Sequence, residues 1–170
     1  MPKQIGVFVD VSNLYYCIGK KYKGKKLDYS KYMEYIKSFG EIVVANAYGA
    51  QIRNQASSFL YCLRQLGIVP IYATPKSFID NGVTTKKADY DVKITVDIFE
   101  VAPKLDIIII GSADGDFVPL IKNLLSLNKK VIVFACKISS NIHELGIPCI
   151  EIPESFLEEK KYDTIISKTG

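Results

Sequence analysis

The sequence predicts a single α/β domain built around a central, mostly parallel sheet. Three observations carry this reading. Short β-branched apolar runs alternate with segments of helical periodicity, aspartates follow the ends of the first and fourth runs, and no repeat or linker breaks the pattern.

The first run, Gln4 to Val9, is apolar, rich in β-branched and aromatic residues, and ends at Asp10. It reads as a buried strand. Asp28 or Ser30 can cap a helix through Tyr32, Tyr35, Ile36 and Phe39, with Gly40 as its stop. Ile42 to Tyr48 is the second strand. Ala56, Phe59, Leu60, Leu63 and Leu66 recur at helical spacing until Gly67 closes the helix, and Ile68 to Tyr72 is the third strand. The polar stretch from Thr74 to Lys87 contains Pro75 and Asn81-Gly82, and is expected to form a surface loop or hairpin. A helix through Val92, Val96 and Phe99 stops by Pro103. Ile107 to Ile110 is short and wholly β-branched, as suits a central strand buried on both faces. Asp116 is placed to cap the next helix, with Pro119 tolerated in its first turn. Val131 to Phe134 and Cys149 to Ile152 are the last strands, and the folded unit is expected to span residues 1–153, with a charged tail over 154–170.

Parallel strands joined by helices require right-handed crossovers, and ligand sites in such sheets form at the carboxyl ends of strands where the strand order reverses. An order of 3-2-1-4-5 puts that reversal between the first and fourth strands. Those strands end at Asp10 and at Gly111-Ser112-Ala113-Asp114-Gly115-Asp116. Architecture and acidic residues point to one crevice.

Composition narrows the class. With 48% hydrophobic and 24% charged residues over 170 positions, the chain can bury a core and is not of disordered type. No apolar run approaches the ~20 residues that cross a bilayer, and the start carries no signal-peptide pattern. A soluble, cytoplasmic protein without membrane association is expected. The four cysteines (Cys17, Cys62, Cys136 and Cys149) are scattered, with no CxxC pair and a single histidine, which argues against a structural zinc. A net charge of +4 permits an anionic partner without requiring one.

Three segments place carboxylates at or near element ends: Phe8-Val9-Asp10-Val11-Ser12-Asn13, Lys86 to Asp97, and Gly111 to Phe117. A single aspartate after a strand is usually a turn former or a helix cap. Three acidic segments at compatible ends are harder to explain that way, because grouped carboxylates repel one another unless a cation sits among them. A hard Mg²⁺ or Mn²⁺ suits an all-oxygen site and also binds phosphate oxygens. The small residues Gly111, Ala113 and Gly115 let a backbone or phosphate come close.

These same segments resemble the three motifs of the NYN domain family, the LabA-like branch of the PIN superfamily, over roughly residues 5 to 135. The resemblance implies a PIN-like three-layer α/β/α sandwich and Mg²⁺- or Mn²⁺-dependent ribonuclease chemistry. It assigns Asp10, Asp91, Asp114 and Asp116 as metal-holding and catalytic residues, Asn13 as a further catalytic residue, and Ser112 as a supporting hydroxyl. Asp89 and Tyr90 stand ahead of Asp91 where the family often has a small or apolar residue, which leaves the register of that motif open. Asp97 lies six residues beyond Asp91. At about 100° per residue that places it well around the helix, as an auxiliary or surface residue. His143 has no acid or nucleophile nearby in sequence and is expected to be structural or exposed.

The densest basic segment is Lys20 to Lys26, and alone it would read as a solvated loop. Near the mouth of an acidic site, Lys21, Lys23, Lys25 and Lys26 could contact phosphates of single-stranded RNA, with Lys86 and Lys87 flanking the middle motif and Tyr15, Tyr16 or Tyr22 stacking on bases. Two other functions compete. A phosphatase of the haloacid-dehalogenase type wants a second acid two residues after the first, where this chain has Ser12. A non-catalytic RNA-binding or regulatory protein could keep the fold and the metal without turning over substrate.

Overall fold

A computed structural model describes residues 1–49, 56–71, 76–80, 83–87 and 90–160. Its centre is a six-stranded parallel sheet made of β1 (Gln4–Asp10), β3 (Glu41–Tyr48), β4 (Val69–Ile71), β7 (Ile107–Gly111), β8 (Lys130–Ala135) and β9 (Cys149–Glu151), in the order β4-β3-β1-β7-β8-β9. Counting these strands alone, the order begins 3-2-1-4-5 as expected. The difference is in detail: β9 adds a sixth strand at the edge, and four short strands stand outside the sheet. One of these, β2 (Lys25–Leu27), pairs antiparallel with β10 (Leu157–Glu159). The others, β5 (Lys76–Asp80) and β6 (Val83–Lys87), form the antiparallel hairpin anticipated in the polar stretch.

The helices are α1 (Val11–Lys21), α2 (Tyr29–Lys37), α3 (Ala56–Gln65), α4 (Tyr90–Val101), α5 (Val118–Ser126) and the single turn α6 (Ser140–His143). They cover both faces of the sheet. A Cβ on Gly6 would meet Leu105, just beyond α4, whereas Gly111 and its neighbour Val9 face the Tyr32 hydroxyl of α2. Residues 6 and 9 of β1 point to opposite faces, because side chains alternate along a strand. β7 is therefore buried at all five positions, and its four consecutive isoleucines each lose nearly all contact with water.

Each helix docks through a narrow apolar stripe: Leu14 and Ile18 on α1, Tyr29, Tyr32, Met33 and Ile36 on α2, and Leu120, Ile121 and Leu124 on α5. Tyr32 stacks on Phe134 of β8 at 4.3 Å and donates its hydroxyl hydrogen to the Phe134 carbonyl at 2.8 Å, so its polar end is satisfied inside the core. α4 departs from expectation. Its buried residues are Ile94 and Ile98, while Val92, Val96 and Phe99 remain exposed. Among the described residues no helix is long and apolar enough to cross a membrane.

Helix α1 was not anticipated, because exposed Tyr15, Tyr16, Lys20 and Lys21 dilute its apolar pattern. The segment expected to be a charged tail from 154 contributes structure too: Leu157 is buried and β10 closes the ladder on β2.

Candidate metal centre

β1 and β7 are hydrogen-bonded neighbours, and both end on the same side of the sheet. Asp10 is the last residue of β1 and the N-cap of α1, where its Oδ1 accepts the Asn13 backbone N–H at 3.1 Å. Burial is the main force resisting its ionisation, with the charges of Asp91 and Asp114 adding to it and the Asn13 and Ser12 amides opposing it. The carboxyl is pushed up to about 6.

Beyond β7 the chain turns through Ser112, Ala113 and Asp114 into a single 3-10 turn, Gly115–Phe117, which leads into α5. Asp114 caps that turn by accepting the Asp116 N–H at 2.9 Å. The expected cap was Asp116. The inserted 3-10 turn shifts the capping position back by two residues and frees Asp116 to face outward, and α5 itself starts at Val118 with no side-chain cap. Ser112 is 1% exposed and its Oγ accepts the Asp114 N–H at 3.3 Å, so this hydroxyl shapes the turn from inside.

Asp91 lies in the first turn of α4. One carboxylate oxygen from each of Asp91, Asp114 and Asp116 falls within 4.8 Å of the others. Carboxylates from two separate elements converging this closely offer an all-oxygen donor set, the kind that hard divalent cations prefer. Asp10 is not a member of the close group, but stands within electrostatic reach of Asp91 and Asp114 at its edge.

Other residues singled out in the sequence fall elsewhere. Asn13 Oδ1 accepts the Ala113 N–H at 2.9 Å, which ties the acid-bearing turn to α1. Asp97 accepts from the Tyr48 hydroxyl at 2.9 Å and pairs with Lys93 at 2.7 Å, outside the acidic group. Burial holds the Tyr48 phenol well above its ordinary value, so it stays a donor to Asp97. Ser12 donates to the Gly49 carbonyl at 3.2 Å, so the position a phosphatase would give to its second acid has a structural task. His143 is exposed at the end of α6.

In the basic run, Lys25 pairs with Glu159 at 2.5 Å and Lys26 with Glu158 at 3.5 Å. Lys21 lies 5.3 Å from the Tyr22 ring centre, and Lys23 is exposed. Lys86 and Lys87 belong to β6, opposite Ser77 and Lys76, and Asp89 lies outside the described residues. Reading the sequence also missed Glu151, whose two oxygens accept the backbone N–H groups of Lys137 at 2.9 Å and Ile138 at 3.0 Å. The available signal was position: Lys137 follows the carboxyl end of a strand on the site side of the sheet.

Comparison with known proteins agrees with this architecture. The chain is 28% identical over 122 residues to the Low amplitude and bright protein LabA of Synechococcus elongatus, covering 68% of this chain but only 64% of that relative's length. The crystal structure of VPA0982, a protein of unknown function from Vibrio parahaemolyticus, superposes with a TM-score of 0.82 at 30% identity, covering 92% of this chain and 97% of that one. The model of the NYN domain matches residues 4–146, and the chain belongs to that family, whose members are typically nucleases.

Proposed function

We propose that this protein is a metal-dependent ribonuclease that hydrolyses phosphodiester bonds of single-stranded RNA in the cytoplasm. One observation carries the reading: Asp91, Asp114 and Asp116 bring carboxylate oxygens within 4.8 Å of one another at the carboxyl ends of the central strands, with Asp10 within electrostatic reach. Asp91, Asp114 and Asp116 would hold Mg²⁺ or Mn²⁺, with Asp10 joining them once ionised. Such an ion, when bound, lowers the pKa of coordinated water and offsets charge building on the phosphate. The chain's own residues do the positioning. Ser112 and Asn13 fix the turn that carries Asp114 and Asp116, while the Asn13 amide holds the Asp10 carboxylate at the mouth of α1. Membership of a family of nucleases supports the same reading.

The test is a metal-titrated cleavage assay on single-stranded RNA, single-stranded DNA and a small phosphomonoester. RNA cleavage that needs Mg²⁺ or Mn²⁺ and disappears in Asp114→Asn is the expected result. Full activity in EDTA or in that variant overturns it. Metal and RNA binding without cleavage would assign the chain to a non-catalytic RNA-binding role.

A further inference from the structure

An acidic centre repels a polyanion, so a nuclease needs cations placed to hold the strand beside it. Within the densest basic run, two lysines already have acidic partners. Lys25 and Lys26 sit on β2, where Glu159 and Glu158 of β10 balance their charge.

Lys20, at the start of the run, and Lys137 stand on elements tied to the site. Asn13, Cys17 and Lys20 recur at the spacing that shares one helical face, and two contacts orient that face. Asn13 bonds the Ala113 amide of the acid-bearing turn, and the Cys17 thiol lies 3.9 Å from Asn13 Oδ1. From Asn13, seven residues at about 1.5 Å each carry Lys20 ~10 Å along the helix axis, so its long side chain can flank the acids without entering them.

Lys137 lies on the turn after β8. That turn is clasped to the acid-bearing one: the Ser139 N–H donates to the Ala113 carbonyl at 3.1 Å, and a Cβ on Gly115 would lie 3.0 Å from Ser139 Oγ. Lys137 has a φ of 57°, a left-handed conformation that β-carbon-bearing residues avoid. Glu151 over-determines it by taking the N–H groups of both Lys137 and Ile138. These bonds fix the backbone at Lys137 on a turn tied to the acid-bearing one. Cys17 lies within electrostatic reach of Lys20, Lys137, Asp10 and Asp114, so both lysines share the neighbourhood of the acids. Among the described residues neither Lys20 nor Lys137 forms an ion pair, and both are exposed.

We propose that Lys20 and Lys137 form the phosphate-binding rail of this site, holding the backbone of a single-stranded nucleic acid where it leaves the acidic cluster. The assignment rests on the nuclease reading for its substrate class, but concerns binding and not bond cleavage. Each lysine neutralises one phosphate and releases the counterion held there, a contribution that shows in the salt dependence of binding.

The experiment measures anisotropy of a fluorescein-labelled oligoribonucleotide in EDTA, across a salt series, so that binding is read without turnover. The double variant Lys20→Gln/Lys137→Gln should bind on the order of tenfold more weakly at low salt, and its log–log salt slope should flatten by about 1.4. Lys137→Arg, which keeps the charge, should retain the wild-type slope, and Lys25→Gln/Lys26→Gln should leave binding unchanged. Wild-type affinity in Lys20→Gln/Lys137→Gln overturns the rail, as does an equal loss in Lys25→Gln/Lys26→Gln or no binding by the wild type. A parallel cleavage assay separates the two readings. Cleavage by the wild type with unaltered binding in the double variant removes the rail and keeps the nuclease, whereas altered binding without any cleavage does the reverse. A melting curve at the wild-type temperature shows that Lys20→Gln/Lys137→Gln is folded.

Discussion

The Asn13 side-chain oxygen accepts the backbone N–H of Ala113 at 2.9 Å, joining the start of α1 to the acid-bearing turn across 100 positions of sequence. Ala113 is 6% exposed, so nothing else nearby in water replaces that acceptor. Asn13→Leu should therefore lower stability by about 1–3 kcal/mol, the cost of stranding a buried donor. Urea unfolding measures it. The expected signature is a lower midpoint with an unchanged slope, together with weaker Mn²⁺ binding, because the turn carrying Asp114 and Asp116 loses its tether. Stability and metal affinity equal to wild type would remove the tether.

Asp91 and Asp97 occupy one helix and should fail in opposite ways. Asp97 receives the Tyr48 hydroxyl and the Lys93 ammonium, and its side chain is 12% exposed. Asp97→Ala leaves the Tyr48 hydroxyl without its acceptor, so the melting temperature should fall while Mn²⁺ still binds. Asp91→Ala should leave the melting temperature near wild type and abolish the metal-induced rise, since a ligand bound only to the folded state stabilises it by mass action. Thermal melts with and without Mn²⁺ read both. The reverse ranking would make Asp97 the ligand.

The strand ends that carry Asp10 and Asp114 were legible because the alternation of β-branched runs and helices sets both the sheet order and the end where ligands gather. Asp91 was singled out by the resemblance of its segment to the middle motif of the family, with the register left open by Asp89 and Tyr90. The rest depends on contacts between distant segments. Asp116 and Asp114 are chemically equal as caps, and only the 3-10 turn at Gly115–Phe117 decides between them. β2 and β10 are three residues each, and their pairing couples positions such as Lys25 and Glu159 that no local period connects. α4 contains two apolar sets, and the more hydrophobic Ile94 and Ile98 took the core while Val92 and Val96 stayed outside. Lys137 is defined by a backbone conformation and a carboxylate on the next strand, neither of which leaves a motif.

Gly111 closes β7 where the sheet meets the site, and a Cβ there would lie 2.8 Å from the Tyr32 hydroxyl oxygen and 3.2 Å from the Val9 Cα. The Tyr32 hydroxyl cannot yield freely, since it is bonded to the Phe134 carbonyl inside the core. Gly111→Ala should destabilise by about 1–3 kcal/mol, the range for overpacking a filled interior. The companion variant Tyr32→Phe removes the clashing oxygen, so Gly111→Ala should cost less in that background. A double-mutant cycle by urea unfolding tests this coupling, and strictly additive effects would show that the contact with Val9 alone sets the cost.

Asp10 makes the metal-free protein less stable as pH rises. Its carboxyl holds a proton up to about 6 in the fold, against an ordinary value of 3.8, chiefly because it is buried and then because Asp91 and Asp114 repel its charge. The folded state therefore binds the proton more tightly than the unfolded chain between those values. That advantage is complete below 3.8 and is lost as pH climbs through about 6. In EDTA the unfolding free energy should fall over this window by up to about 3 kcal/mol from Asp10 alone. Asp10→Asn keeps a side-chain oxygen to cap α1 and has no proton to lose, so its stability should stay flatter across the window and exceed wild type at pH 7. Mn²⁺ should narrow that difference at pH 7, because a cation among the acids favours ionised Asp10 in the fold. Urea unfolding at pH 4, 5, 6 and 7, with EDTA or with Mn²⁺, reads all three trends. If wild type and Asp10→Asn in EDTA run parallel from pH 4 to 7, Asp10 ionises as freely in the fold as in the unfolded chain, and repulsion at the acidic centre is not what a metal relieves.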